Sequence, residues 1–163
     1  MSEDVKPELR KLEGNAEYDA AIDTLLARPG RKLRIFERRL GKGYLSAHRY
    51  DLLRHFLLAG RGHVIQIVVH DATTLQADCP RIVPLLRQFS HALSIHETEP
   101  QAKRVYDPFG VIDERDYVHR FHYDHGRGLL GLDDPQGALV FVQRFEEIWE
   151  ASTPAAAATT LGL

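Results

Sequence analysis

The chain has 163 residues, 44% apolar and 27% charged, with a net charge of −2. These values fit one globular domain large enough to bury a core; no apolar run nears the roughly 20 residues a bilayer span requires. Cys79 is the only cysteine, which excludes an internal disulfide framework, and the polar opening MSEDVKPELRKLEGN lacks the plan of a secretory leader, so a cytoplasmic location is expected.

Residues 1–15 read as a polar lead-in, residues 16–152 as a single α/β domain, and residues 153–163 as a flexible Ala/Thr-rich tail. AEYDAAIDTLLARPG predicts a helix, with Tyr18, Ile22, Leu25 and Leu26 at helical spacing and Pro29-Gly30 as its stop. RKLRIFERRL predicts a strand. SAHRYDLLRHFLLAGRG is a helix capped by Ser46, with Leu52, Leu53, Phe56 and Leu57 inward and Gly60 at its end. HVIQIVVHD is nearly continuously apolar and β-branched, as suits a central strand covered on both faces.

A second crossover follows through DATTLQADCPRIVPLLRQFS, with Pro80 near a helix start and Ile82, Val83, Leu85, Leu86 and Phe89 inward. HALSIHET is the next strand. Residues 104–132 favour two or three more, with Gly126, Gly128 and Gly131 breaking the last of them. The closing helix begins at Asp134-Pro135 and buries Leu139, Val142, Phe145, Ile148 and Trp149. This order predicts an α/β fold: a mixed sheet flanked by helices, with right-handed crossovers in its first part.

The charge is uneven. Ten Arg and Lys residues lie between Arg28 and Arg61, opposed only by Glu37 and Asp51, which suits either a solvated surface or a phosphate-bearing ligand. Three histidines, His119, His122 and His125, lie close together in the sequence. On one strand His119 and His125 would share a face and His122 would take the other, so the three could not meet one ion without a bulge or turn, and no metal or other cofactor is expected. Cys79 before Pro80 is either a small packed hydrophobe or a thiol activated at a helix start. His70-Asp71 is either an oriented imidazole for base catalysis or a strand end at which Asp71 caps the segment DATT.

RKLRIFERRL, then a helix leading into LLAGRGHVIQIVVHD, and the closing FVQRFEEIWEAS together resemble a phospholipase-D-like half-domain over residues 30–152. That superfamily carries an H-x-K-x-x-x-x-D signature on a strand pair, and its best placement here is YDPFGVID, residues 106–113. Asp113 then stands at the aspartate, Tyr106 at the nucleophilic histidine and Pro108 at the phosphate-holding lysine, and the family's G-S-x-N turn is missing. Tyrosine holds its proton at pH 7 and proline has no N–H to donate, so the resemblance implies the scaffold without its chemistry. The chain also resembles an uncharacterised proteobacterial group of such domains associated with N-acetyltransferases.

By that resemblance the domain is a homodimeric, catalytically silent module for a ligand or partner. Its groove would collect Asp113, Tyr106 and His119 with parts of the basic region, His70 standing at the end of the strongest strand. The ligand would be a phosphorylated metabolite, a nucleic-acid backbone or a partner protein, including an N-acetyltransferase. The alternative is a metal-independent phosphodiesterase with a rearranged site. There His96 or His122 supplies the nucleophile or base, and Arg34, Arg104 or Arg120 holds the phosphate.

Overall fold

A computed structural model describes residues 5–41, 46–105, 107–122 and 124–155. In chain order the elements are β1 (Glu8–Glu13), α1 (Asn15–Leu26), β2 (Lys32–Glu37), α2 (Ala47–Leu58), β3 (Val64–Val69), α3 (Leu75–Asp78), α4 (Ile82–Gln88) and β4 (Leu93–Thr98). They continue with β5 (Phe109–Ile112), β6 (Asp116–His122), β7 (His125–Leu132), α5 (Pro135–Glu150) and β8 (Ser152–Pro154). The strands form one sheet in the order β1-β7-β6-β5-β2-β3-β4-β8. β2, β3 and β4 run parallel, and every other neighbouring pair is antiparallel.

The parallel centre follows from the chain's order. Each of β2 and β3 is followed by helix, and two right-handed crossovers advancing in the same direction lay their helices on one face. That face holds Tyr18, Ile22, Leu25, Leu33, Ile35, Leu53, Phe56, Ile67 and Leu85 in one buried cluster with α1, α2 and α4. Ser46 caps α2 as expected, its Oγ accepting from the Arg49 amide at 3.2 Å. The opposite face is covered by α5, through Ala138, Phe141, Val142, Phe145 and Ile148 packed on Phe36, Val68, Phe109 and Val111, with Val105 of the segment before β5 packed against the same cluster. Each large side chain so buried contributes roughly 1.5–3 kcal/mol. Asp134 caps α5, accepting from the Gly137 amide at 3.3 Å.

Several expectations need correction. Residues 8–13 of the polar lead-in form β1, which pairs antiparallel with β7 along its whole length at the sheet edge. At the other end, Ser152–Pro154 add β8 beside β4; the rest of the expected tail, from residue 156, lies outside the described residues. The three glycines do not break β7, which runs through all of them. A Cβ on Gly128 would come within 2.2 Å of the His119 carbonyl oxygen, and one on Gly131 within 2.3 Å of the Tyr117 ring. The strand therefore needs glycine so that backbone and ring can approach. His125 begins β7 and stands across the hairpin from His122, so it does not share a strand with His119. Leu139 is 42% exposed on α5, where the helix phase buries Ala138 and Phe141 in its place.

Candidate functional site

β2, β3 and β4 deliver their carboxyl ends to one rim, the usual ligand side of an open α/β sheet. Because β5 is antiparallel to β2, the chain must cross from the end of β4 over β3 and β2 to reach it. Residues 99–105 and 107–108 belong to this crossing, and Lys103 among them lines a cleft of about 610 Å3. Arg38, Arg39 and Lys103 line the cleft as cations, Asp71 and Glu97 as anions.

His70 ties this rim together. Its Nδ1 lies 2.7 Å from Thr98 Oγ1 and its Nε2 2.5 Å from the Val105 carbonyl. A carbonyl only accepts, so Nε2 carries the proton and Nδ1 accepts from the threonine hydroxyl. Burial holds the His70 pKa below the usual imidazole value, with Lys103 and Arg38 adding to the effect and the Val105 bond opposing it. Both ring nitrogens are engaged, so His70 is a neutral strut. Asp71 turns away from it: Asp71 Oδ1 accepts from the Thr73 amide at 2.9 Å and hydroxyl at 2.6 Å, so the capping reading of Asp71 holds.

A second grouping lies at the same end of the sheet, on the α5 face. His119 stands across from Phe109 on β6, and its Nε2 donates to Asp107 Oδ2 at 2.8 Å. Arg144 of α5 grips the same carboxylate with both Nη atoms, one at 2.7 Å, while its guanidinium lies 5.7 Å from the Phe109 ring centre. Burial lowers the His119 pKa, and Asp107 restores part of it. The result is a neutral imidazole whose Nδ1 carries the lone pair, held by a carboxylate.

The other sequence-derived candidates scatter. Tyr106 lies outside the described residues. Asp113 does not share a groove with His119. It follows Ile112 at the far end of β5, in a left-handed conformation with φ 51°, and caps the start of β2 by accepting from the Arg31 and Lys32 amides at 3.0 and 2.9 Å. Arg34 is buried toward that same far end, 3.2 Å from Glu146, and its Nε has no hydrogen-bond partner among the described residues. Arg120 belongs to the α1 face, donating to the His125 carbonyl and to Asn15 Oδ1, and lies 5.1 Å from the Tyr18 ring centre. Arg104 is exposed on the crossing segment.

His96 is stacked on Trp149 at 3.6 Å and 2.9 Å from Ser152 Oγ, a packed pose, and burial lowers its pKa. His122 sits at the hairpin end, where its ring stacks with His125 at 5.6 Å and its Nδ1 accepts from the Asp124 amide. Cys79 is 1% exposed between α3 and α4, as a small packed hydrophobe. No group of three or more metal-ligating side chains converges among the described residues. Asp107, Arg144 and Lys103 were missed as site residues; only a structure brings Arg144 onto Asp107 from 37 positions away.

Glu37 ends β2 on the α1 face, half-buried among Tyr18, Ile22 and Leu26 beside a cavity of about 10 Å3. Burial pushes its pKa up to about 8, with Arg120 and Arg49 opposing. The unfolded chain releases this proton near pH 4.3. The folded state therefore loses stability, relative to the unfolded chain, as pH rises from there through about 8. Glu37→Gln is expected to stabilise the fold by about 1–2 kcal/mol at pH 8 and by almost nothing near pH 4, read from urea denaturation at both values. A gain that does not depend on pH would contradict the raised pKa.

Comparison with solved structures places the fold. The chain is similar to Nuc of Salmonella typhimurium, a phospholipase D family member, with a TM-score of 0.66 and 11% identity over 92% of this chain and 99% of that one. It is similar to phosphatidylserine synthase of Haemophilus influenzae Rd KW20, TM-score 0.58 and 15% identity, covering 97% of this chain and 41% of the synthase. TrmBL2, an archaeal chromatin protein whose structure shows a novel mode of DNA binding, gives a TM-score of 0.65 and 12% identity over 93% of this chain. The chain spans 54% of the length of TrmBL2. At these identities the likeness is one of fold, and the fold is the phospholipase-D-like mixed α/β sheet. No helix among the described residues is long and apolar enough to cross a membrane. The sequence matches no curated protein. A family model does match, over residues 8–161, and by that match the chain belongs to the family described as Domain of unknown function (DUF7931).

Proposed function

We propose that this chain is a catalytically silent phospholipase-D-like module, a homodimer that binds an anionic ligand or partner in the cytoplasm. The observation that carries this reading is the use made of the signature positions. Asp113 spends its carboxylate capping β2 at the far end of β5, and Pro108 is buried with no donor to offer. At the rim, Arg38, Arg39 and Lys103 remain as the cationic surface. The exposed Phe121 and Val140 support the dimer as apolar surface for a second copy. An N-acetyltransferase as partner rests on the sequence resemblance alone.

The second reading, a metal-independent phosphodiesterase, is favoured by one observation: His119 is held by Asp107 with a nitrogen to spare. His96 Nδ1 is engaged by Ser152 Oγ instead, and the contact of His122 Nδ1 with Asp124 Oδ2 is longer, at 3.5 Å, on an exposed hairpin. Incubation with bis-p-nitrophenyl phosphate, single-stranded DNA and phospholipid, with EDTA or added divalent metals, separates the two readings. The silent module is expected to give no turnover together with saturable, salt-sensitive binding of an anion. Turnover that disappears in His119→Ala would replace it with the hydrolase. Sedimentation is expected to show a dimer at micromolar concentration, and a monomer there would remove that part of the proposal.

A further inference from the structure

We infer that the cleft over β2, β3 and β4 takes a small phosphorylated polyhydroxy compound, a sugar or polyol phosphomonoester, with its phosphate on Arg39 and Lys103 and its hydroxyls on Asp71 and Glu97. The inference rests on the anion-binding reading above and adds the class of ligand. The cleft's volume of about 610 Å3 lies in the range of small-molecule sites.

Its walls are tied together before any ligand arrives. The Arg38 carbonyl accepts from the His70 and Asp71 amides at 2.9 and 3.1 Å, joining the exits of β2 and β3. Lys103 Nζ donates to the His70 carbonyl at 2.7 Å, and His70 holds Thr98 and Val105, so the crossing segment is pinned over the same point. A preformed cleft lowers the ordering cost of binding. One of the three ammonium protons of Lys103 serves that bond, which leaves the others for a ligand.

The two acids select the ligand. Asp71 uses Oδ1 on Thr73, and Glu97 uses Oε2 on the Ala72 amide at 2.9 Å. Neither Asp71 Oδ2 nor Glu97 Oε1 makes a hydrogen bond among the described residues. Such oxygens repel a bare anion and accept from hydroxyl groups, through hydrogen bonds to a charged acceptor. Three cations and two carboxylates line the cleft, and of the cations Arg39 and Lys103 are the ones assigned to the phosphate. An extended polyanion would meet the acids without a cation for each phosphate.

Isothermal titration of the full chain with glucose 6-phosphate, ethyl phosphate, glucose and inorganic phosphate tests the assignment. Glucose 6-phosphate is expected to bind at least about tenfold more tightly than ethyl phosphate, and glucose alone not measurably. Arg39→Ala is expected to weaken both phosphate esters by about tenfold without altering their ratio. Asp71→Asn keeps an acceptor for Thr73 but removes the negative charge, so it is expected to strengthen ethyl phosphate and bring the ratio toward one. Equal binding of the two esters by the wild-type chain would overturn the polyol assignment and leave the anion-binding reading intact. Unchanged binding in Arg39→Ala, with an unchanged melting curve, would place the ligand elsewhere and overturn the assignment. No binding of any phosphate at millimolar concentration would overturn the assignment together with this cleft as an anion site.

Discussion

Asp116→Ala is expected to destabilise the fold by about 3 kcal/mol, a fall in Tm of roughly 6–12 °C for a chain of this size. Asp116 is 0% exposed at the end of the sheet opposite the rim. It accepts from Arg28 Nε at 3.1 Å, from Arg115 Nε at 2.7 Å and from the Asp133 amide at 2.8 Å. The substitution leaves that amide and two guanidinium groups without their shared acceptor. The arginine side chains are 30% and 32% exposed, so water takes up part of their charge, which sets the cost at the lower end for a broken buried pair. Burial by itself would raise the Asp116 pKa, but the bonds from Arg28, Asp133 and Arg115 outweigh it and hold the pKa below the ordinary value. The sign follows: this stability is fully present above the unfolded value of about 3.9 and is lost as pH falls through the folded pKa. The difference between wild type and variant therefore shrinks in acid. A Tm within about 2 °C of wild type at pH 7 would show that the network carries little.

Much of the fold was legible because its local signals agree with its packing. Tyr18, Ile22, Leu25 and Leu26 are all buried on α1, Ser46 and Asp134 cap where capping residues were expected, and the apolar run of β3 lies inside the sheet. β1 was not legible, since ELRKLE buries only Leu12 and an edge strand owes its place to its partner. The glycines of β7 misled for a related reason: what they accommodate, the His119 carbonyl and the Tyr117 ring, belongs to another strand. The site was legible only in pieces. His70 was placed correctly at the rim, but Asp113 was grouped with His119 from spacing alone. The four residues of β5 separate them by roughly 13 Å. The cations and carboxylate that give the rim its character, Lys103, Asp107 and Arg144, lie in a crossing segment and on a remote helix.

Asp107→Ala is expected to destabilise the protein by about 2 kcal/mol and to lower the His119 pKa further. Asp107 Oδ2 takes bonds from His119 and Arg144 together, so its removal leaves a guanidinium and an imidazole facing each other without the intervening charge. Burial already keeps His119 below its ordinary value, Asp107 opposes that effect, and Arg144 reinforces it. Without the carboxylate only the two lowering influences remain. Arg144→Ala is expected to move the same pKa upward, so an imidazole titration followed by NMR should shift in opposite directions in the two variants. No shift in either would show that the three groups are not electrostatically coupled. The linkage also fixes a sign for the whole protein. His70, His96 and His119 all have lowered pKa values, so the stability they leave intact above about pH 6.5 is lost as pH falls through their folded values. The functional readings diverge on the same variant. A hydrolase working through His119 loses its turnover in Asp107→Ala, whereas a binding module using Arg39 and Lys103 keeps its affinity for a phosphate ester, because that cleft draws on neither Asp107 nor His119.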